Sequence, residues 1–302
     1  MKKLYMLAAV ALLTFGMASC DKDDNTTSNT TTTTTGGGSA HSTTSGQWVN
    51  LGLPSGLLWA QVDGVALTWM NAYIGGRAVT ERAGYQIETN AFWYNAICFA
   101  LDMESRYGIR DGSFISRWAP IRDQVRSSFR STFWDEGSRR LADYVDGSGR
   151  NMDVRPNQLC AIWVKNSPLE EELFPEVLRV IDTELITSRG VRTLSPRDVK
   201  YKGVYEGSQT ERDLAYHQGC TRPFLLAPYI DMSFRIKGAS FYKRAEWLVE
   251  GFWSDLSKHG VGAFSELYDG DPPHEPHGAI SSALSTAALL SVNALLEKYK
   301  EA

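Results

Sequence analysis

The chain has 302 residues, 31 of them basic and 35 acidic, for a formal net charge of −4; 43% are apolar and 22% charged. That balance excludes a wholly disordered chain, a collagen and a polytopic membrane protein. The mild acidity leaves no basic footprint for nucleic acid. In chain order, Lys2 and Lys3 precede a short apolar run, Tyr5 to Met17, which closes on Ala18-Ser19-Cys20. This pattern predicts a secretory signal over 1–20. Residues 21–46 begin with an acidic run, Asp21-Lys22-Asp23-Asp24, and continue almost entirely as Thr, Ser, Gly and Asn. Such a segment cannot bury enough apolar surface to offset chain entropy, so a flexible tether is expected. Residues 47–61 predict a strand at Val49–Leu53 and a turn at Pro54-Ser55-Gly56. The main folded body then spans 62–302.

From residue 88 the pattern turns helical. Strongly apolar segments at 88–107, 155–164, 216–236 and 281–296 alternate with amphipathic ones at 113–134, 169–186 and 241–256. The apolar segments recur roughly every sixty residues, the mark of stacked two-helix units. The expected fold is mainly α, an incomplete toroid of helical hairpins with apolar helices inside and amphipathic ones outside. It holds about seven of the twelve helices that a closed ring of six hairpins contains. Such an arc exposes an apolar flank, which a partner or a second copy could cover. No strong strand pattern interrupts the helices, apart from Leu141–Val145. Cys98, Cys160 and Cys220 are far apart with no C-x-x-C pair, so buried thiols are expected rather than a disulfide framework or a zinc site.

Polar residues gather at the starts of the inner helices. They are Thr68-Trp69-Met70-Asn71, Glu88-Thr89-Asn90, Arg155-Pro156-Asn157-Gln158, Tyr216-His217-Gln218-Gly219 and the loop Ser265–His274. Nine Trp, 13 Tyr and 12 Phe accompany them. A funnel whose mouth collects carboxylates, amides and aromatic rings suits a polyhydroxyl ligand. No Walker loop, dinucleotide fingerprint or HExxH motif is present, so neither a metal nor an organic cofactor is implied.

Two resemblances follow from these residues. The leader is similar to a bacterial lipoprotein signal. That implies a lipid on Cys20 and a membrane-anchored protein, periplasmic or at the cell surface. From about residue 62 onward the chain resembles the C-terminal glucosidase domain of bacterial and archaeal glycogen debranching enzymes. The resemblance is carried by Leu67-Thr68-Trp69-Met70-Asn71-Ala72, by Glu88–Ala96, by Val154-Arg155-Pro156-Asn157-Gln158, by Leu194-Ser195-Pro196, by Tyr205-Glu206-Gly207, by Ala215–Gly219 and by Ser265–His274. It implies an (α/α)6 barrel, amylo-alpha-1,6-glucosidase activity and a branched α-glucan or maltooligosaccharide as ligand. It also implies an inverting pair of carboxyls about 6.5–9.5 Å apart, with Glu266 as general base. Trp69, Glu88, Asn90, Arg155, Asn157, Gln158, His217 and Gln218 are the expected liners of the glucose site.

The sequence departs from the family pattern at three places. The general-acid aspartate is replaced by Asn71, an amide with no proton to give a departing oxygen. Asp63, eight residues upstream, is one carboxyl that could stand in, and an acid placed elsewhere in the chain is the other. Arg222 occupies a position where a Trp is expected, and Ser281–Ser285 lacks the family's Gln and Trp. Two functions are therefore carried forward: a hydrolase of α-1,6 branch points, and an inactive α-glucan-binding surface lipoprotein or truncated remnant.

Overall fold

The computed structural model describes residues 40–42, 48–50, 55–108 and 112–300. Cys20, the leader and most of the tether lie outside the described residues. No described helix is long and apolar enough to cross a membrane.

Three short strands open the described chain: β1 (Ala40–Ser42), β2 (Trp48–Asn50) and β3 (Trp59–Gln61), joined antiparallel in that order. The expected strand at 49–53 thus begins one residue earlier, and its last residues are outside the described set. The residues just before β3 are fastened to the helical body. Leu57 is fully buried, Trp93 Nε1 donates to the Gly56 carbonyl at 3.1 Å, and the Asn90 amide bonds both Leu58 N at 2.7 Å and Leu58 O at 3.1 Å. A hairpin, β4 (Tyr73–Ile74) and β5 (Arg77–Ala78), and the strand β6 (Tyr85–Gln86) lead into the helices.

The helices are α1 (Ile87–Tyr107), α2 (Ser113–Phe133), α3 (Gln158–Trp163), α4 (Phe174–Glu184), α5 (Gln209–Ala215), α6 (Leu226–Lys237), α7 (Tyr242–Glu250) and α8 (Ala283–Tyr299). Contacts run α1–α3–α6–α8 along an inner row. Helices α2, α4 and α7 lie on α1, α3 and α8 as an outer row. This is the expected arc of hairpins, and each expected segment contains one of its helices. The outer helices bury one stripe each: Val125, Phe129 and Phe133 on α2, and Val177, Leu178, Val180 and Ile181 on α4. Leu290 on α8 and Trp253 after α7 are 65% and 52% exposed, apolar groups left at the open end of the arc.

Two inner helices are shorter than the periodicity predicts. Pro156 has no N–H to donate, and Asn157 and Arg155 spend their side chains on a polar network, so α3 starts only at Gln158. Residues 216–225 form a loop, the strand β13 (Thr221–Arg222) and a 3-10 turn at Pro223–Leu225 before α6 begins. The extra short helix α5 is set by a capping box, in which the Ser208 side chain accepts from Glu211 N and Glu211 reaches back.

The loops also carry strands. Hairpins β7 (Trp134–Asp135) with β8 (Arg140–Leu141), and β9 (Tyr144–Asp146) with β10 (Gly149–Asn151), follow α2. A five-stranded antiparallel sheet has the order β11 (Ile186–Thr187), β12 (Gly190–Arg192), β13, β14 (Leu267–Tyr268) and β15 (Pro276–His277). Strands of two or three residues are too short to show a period of two in sequence. This sheet nevertheless positions the site, because Thr221 pairs with Tyr268 and brings the 216–222 segment against the loop that holds Glu266.

Candidate active site

Glu266 sits immediately before β14, and its backbone N–H bonds the Ala279 carbonyl at 3.0 Å. Its side chain is 28% exposed. Oε1 accepts from Arg222 Nη1 at 2.8 Å and from the Tyr216 hydroxyl. Oε2 accepts from Ala279 N at 3.1 Å. Burial alone would raise the carboxyl's pKa, but the Arg222 charge and the Tyr216 hydrogen bond outweigh it and hold Glu266 below the usual carboxylate range. It is therefore ionised at neutral pH.

Half-buried aromatic groups cluster around the segment that binds this carboxylate. Tyr205 lies 5.9 Å from Tyr216 and 5.5 Å from His277, ring centre to ring centre. Trp69 meets His217 edge-on at 5.2 Å and Phe224 at 5.7 Å. Asn71 is half-buried two residues from Trp69, and its amide has no hydrogen-bond partner among the described residues. The Trp69 contacts tie its loop to the 216–224 segment, and that segment holds Glu266.

The other expected liners form a layer beneath this wall. Glu88, Asn90, Arg155, Asn157, Gln158, His217 and Gln218 are all at most 6% exposed. Trp69 Nε1 donates to Asn157 Oδ1 at 2.8 Å, and Asn157 Nδ2 donates to Asp143 Oδ1 at 2.7 Å. Asp143 accepts from Arg82 Nε at 2.6 Å, and Arg82 forks onto Glu88, with Nη2 to Oε2 at 2.7 Å. Arg155 donates to the His217 carbonyl and to Gln218 Oε1, both at 2.7 Å, and Gln218 reaches Thr80 at 3.2 Å. Gln158 Nε2 bonds the Arg155 carbonyl at 3.0 Å. These side chains spend most of their polar atoms on one another and on backbone. All of them but His217, whose ring nitrogens bond to none of the others, thereby hold the loop ends in register.

Arg82 and Asp143, the hub of that layer, were not foreseen. Asp143 lies within the one strand-like stretch noticed in sequence, but nothing there marks it as buried. Burial would lower the Arg82 pKa, and the flanking Asp143 and Glu88 charges raise it instead. Arg155 is lowered, chiefly by burial. Gly219 is required at its position, because a Cβ there would lie 2.3 Å from the Lys202 carbonyl.

His217 is 2% exposed, and neither ring nitrogen has a partner among the described residues. Burial and the cations Arg222, Arg155 and Arg82 push its pKa well below normal, so the imidazole is neutral.

Asp63 does not fill the role left by Asn71. Its side chain is 84% exposed and forks onto Arg77 at 3.0 and 3.1 Å. The Arg77 hydrogen bond lowers its pKa, the opposite of what a proton donor needs.

Of the thiols, Cys220 is buried, while Cys98 and Cys160 are half-buried; all three are free. No cluster of three or more His, Cys, Asp or Glu converges on a metal position among the described residues. An open cavity of about 780 Å³ between α2 and the β7–β10 hairpins holds none of these groups. It is lined by Arg126, Arg130, Glu136 and Glu170, and Arg130 is already paired with Glu136 at 2.7 Å.

The amylo-alpha-1,6-glucosidase family model matches residues 39–291. The chain belongs to that family. Among solved structures, the neutral trehalase Nth1 from Saccharomyces cerevisiae aligns at 13% identity with a TM-score of 0.50, over 71% of this chain and 38% of the trehalase. The likeness is one of fold, and this chain spans well under half of the trehalase's length. No curated protein matches the sequence. Family and fold agree on a toroidal arc of hairpins behind the site.

Proposed function

We propose that the chain hydrolyses α-1,6-glucosidic branch points of glycogen-like α-glucans, with inversion and with Glu266 as general base. The observation that carries this reading is the ionised Glu266 carboxylate, reachable from solvent, bonded by the Tyr216 hydroxyl and close to Tyr205, with Trp69 and Phe224 on the segments packed against the Tyr216 loop. Aromatic faces take the C–H faces of a glucose ring, and the carboxylate takes the proton of a water attacking the anomeric carbon. The bond from that carbon to the branch oxygen breaks as the new C–O bond forms. The departing oxygen must be protonated, and Asn71 cannot do it, so water supplies that proton and the rate is low. Loss of a general acid costs about 10²–10⁴-fold. A lipid on Cys20 would hold the domain at a membrane surface.

Glucose release from a branched dextrin by the purified protein tests the proposal. Glu266→Gln is expected to abolish it. Asn71→Asp is expected to raise it by about 10²–10⁴-fold, the reverse of the acid's loss. No glucose from either the natural chain or the Asn71→Asp variant would sink the hydrolase. The second reading, a glucan binder without turnover, is favoured by the Asn71 amide. Retained affinity for the same dextrin with no release, in both chains, would establish it.

A further inference from the structure

We propose that Arg222 is a positioning residue for Glu266: with Tyr216 it occupies Oε1 fully, so that Oε2 alone is left to accept a proton. This rests on the reading of Glu266 as base. A carboxylate oxygen offers two lone-pair sites. At Oε1 both are taken, one by Arg222 Nη1 at 2.8 Å and one by the Tyr216 hydroxyl. At Oε2 one is taken, by Ala279 N at 3.1 Å. Beside Oε2 lies Gly278, where a Cβ would stand only 2.8 Å from that oxygen. Glycine at 278 therefore leaves Oε2 free of crowding by a side chain.

Arg222 is well placed to act as the fixed end of this clamp. It is 4% exposed and lies on β13, next to the strand that follows Glu266. Its Nη2 donates to the Tyr216 carbonyl at 3.1 Å, and the guanidinium lies 4.0 Å from the Tyr216 ring centre. One residue thus orients both the carboxylate and the second donor to it. A Trp in that position has neither the charge nor the fork. Among the described residues, the other ionisable groups on the elements around Glu266 include Tyr205, which feels its charge, and the pair at 3.1 Å between Asp269, just past β14, and His277 on β15. Arg222 is the cation that touches it.

The test compares the natural chain with Arg222→Gln, Arg222→Lys and Tyr216→Phe. Protonation of Glu266 is read directly, as carbodiimide labelling of its peptide by mass spectrometry across acidic pH. Arg222→Gln is expected to move the labelling midpoint up by about one pH unit or more. Lysine restores part of the shift, and Tyr216→Phe gives a smaller rise. Where glucose release is measurable, kcat falls in Arg222→Gln, KM stays within about two-fold, and the acid limb of the pH profile moves with the labelling midpoint. A midpoint that does not move in Arg222→Gln or Arg222→Lys overturns the inference, as does a loss confined to KM or to the melting temperature. Should the natural chain release no glucose while the midpoint still moves, the hydrolase reading fails and the clamp on Glu266 stands.

Discussion

Two arginine–carboxylate clusters lie within this site, and they serve opposite ends. Around Arg82, both carboxylates are buried and every guanidinium nitrogen is engaged, on Glu88, Asp143 or Thr68. Around Arg222, the carboxylate reaches solvent and keeps an unfilled lone pair. The same pairing of charges makes a scaffold when it is closed on all sides and a reactive group when one side stays open. Burial distinguishes them, and burial is a property of the fold rather than of the residue types.

The contrast can be broken by breaking one member of each cluster. Asp143→Asn removes one of the two buried carboxylates on Arg82 and the buried one beside Arg155, and about 3–5 kcal/mol of folding stability should be lost. Urea unfolding measures it. Glu266→Gln removes a carboxylate that is partly solvated and keeps an acceptor for Arg222, so its loss should be clearly smaller. Equal losses would erase the distinction between scaffold and reactive group.

The long-range architecture was legible in the sequence because helices of this length carry a strong periodic signal. The stripe Val125–Phe129–Phe133 and the apolar run of α1 place themselves. The cluster of site segments was legible too, through the family phrases that Glu266, Trp69 and His217 belong to. What could not be read was depth. Asn90 and Asn157 look the same in sequence whether they face solvent or a buried partner, a backbone carbonyl for Asn90 and the Asp143 carboxylate for Asn157. Arg222 looked like the loss of a ring; the two-residue strands that set it against Glu266 have no sequence signature.

A second expected effect follows from His217, which belongs to the buried layer. Its pKa is depressed in the folded state by burial and by nearby arginines. The unfolded imidazole takes up a proton near pH 6.5 and the folded one does not. Stability is therefore whole above that pH and falls as pH drops below it, by about 1.4 kcal/mol per unit until the folded pKa is reached. Melting temperatures from pH 7.5 to 5.0 should show that slope, and His217→Phe should flatten it. A slope unchanged by the substitution would place the titration elsewhere.

The smallest effect belongs to a third pair, Asp63 with Arg77, which is exposed. Asp63→Asn should leave both glucose release and melting temperature unchanged, since exposed ion pairs contribute little. A drop in turnover would return Asp63 to the list of proton donors and extend the reactive region to the surface.

The single rung between Thr221 and Tyr268 suggests a way to divide the molecule. Arg222 and Glu266 are 44 positions apart, and between them, past α7, Val261 is 96% exposed beside Gly262 with φ at +71°. A nick at that tip yields two fragments, each holding one charge of the clamp. In its own fragment Glu266 loses Arg222 and returns to an ordinary carboxyl's acidity, so complementation of the two halves would report on reassembly of the site through the renewed lowering of a single carboxyl's pKa.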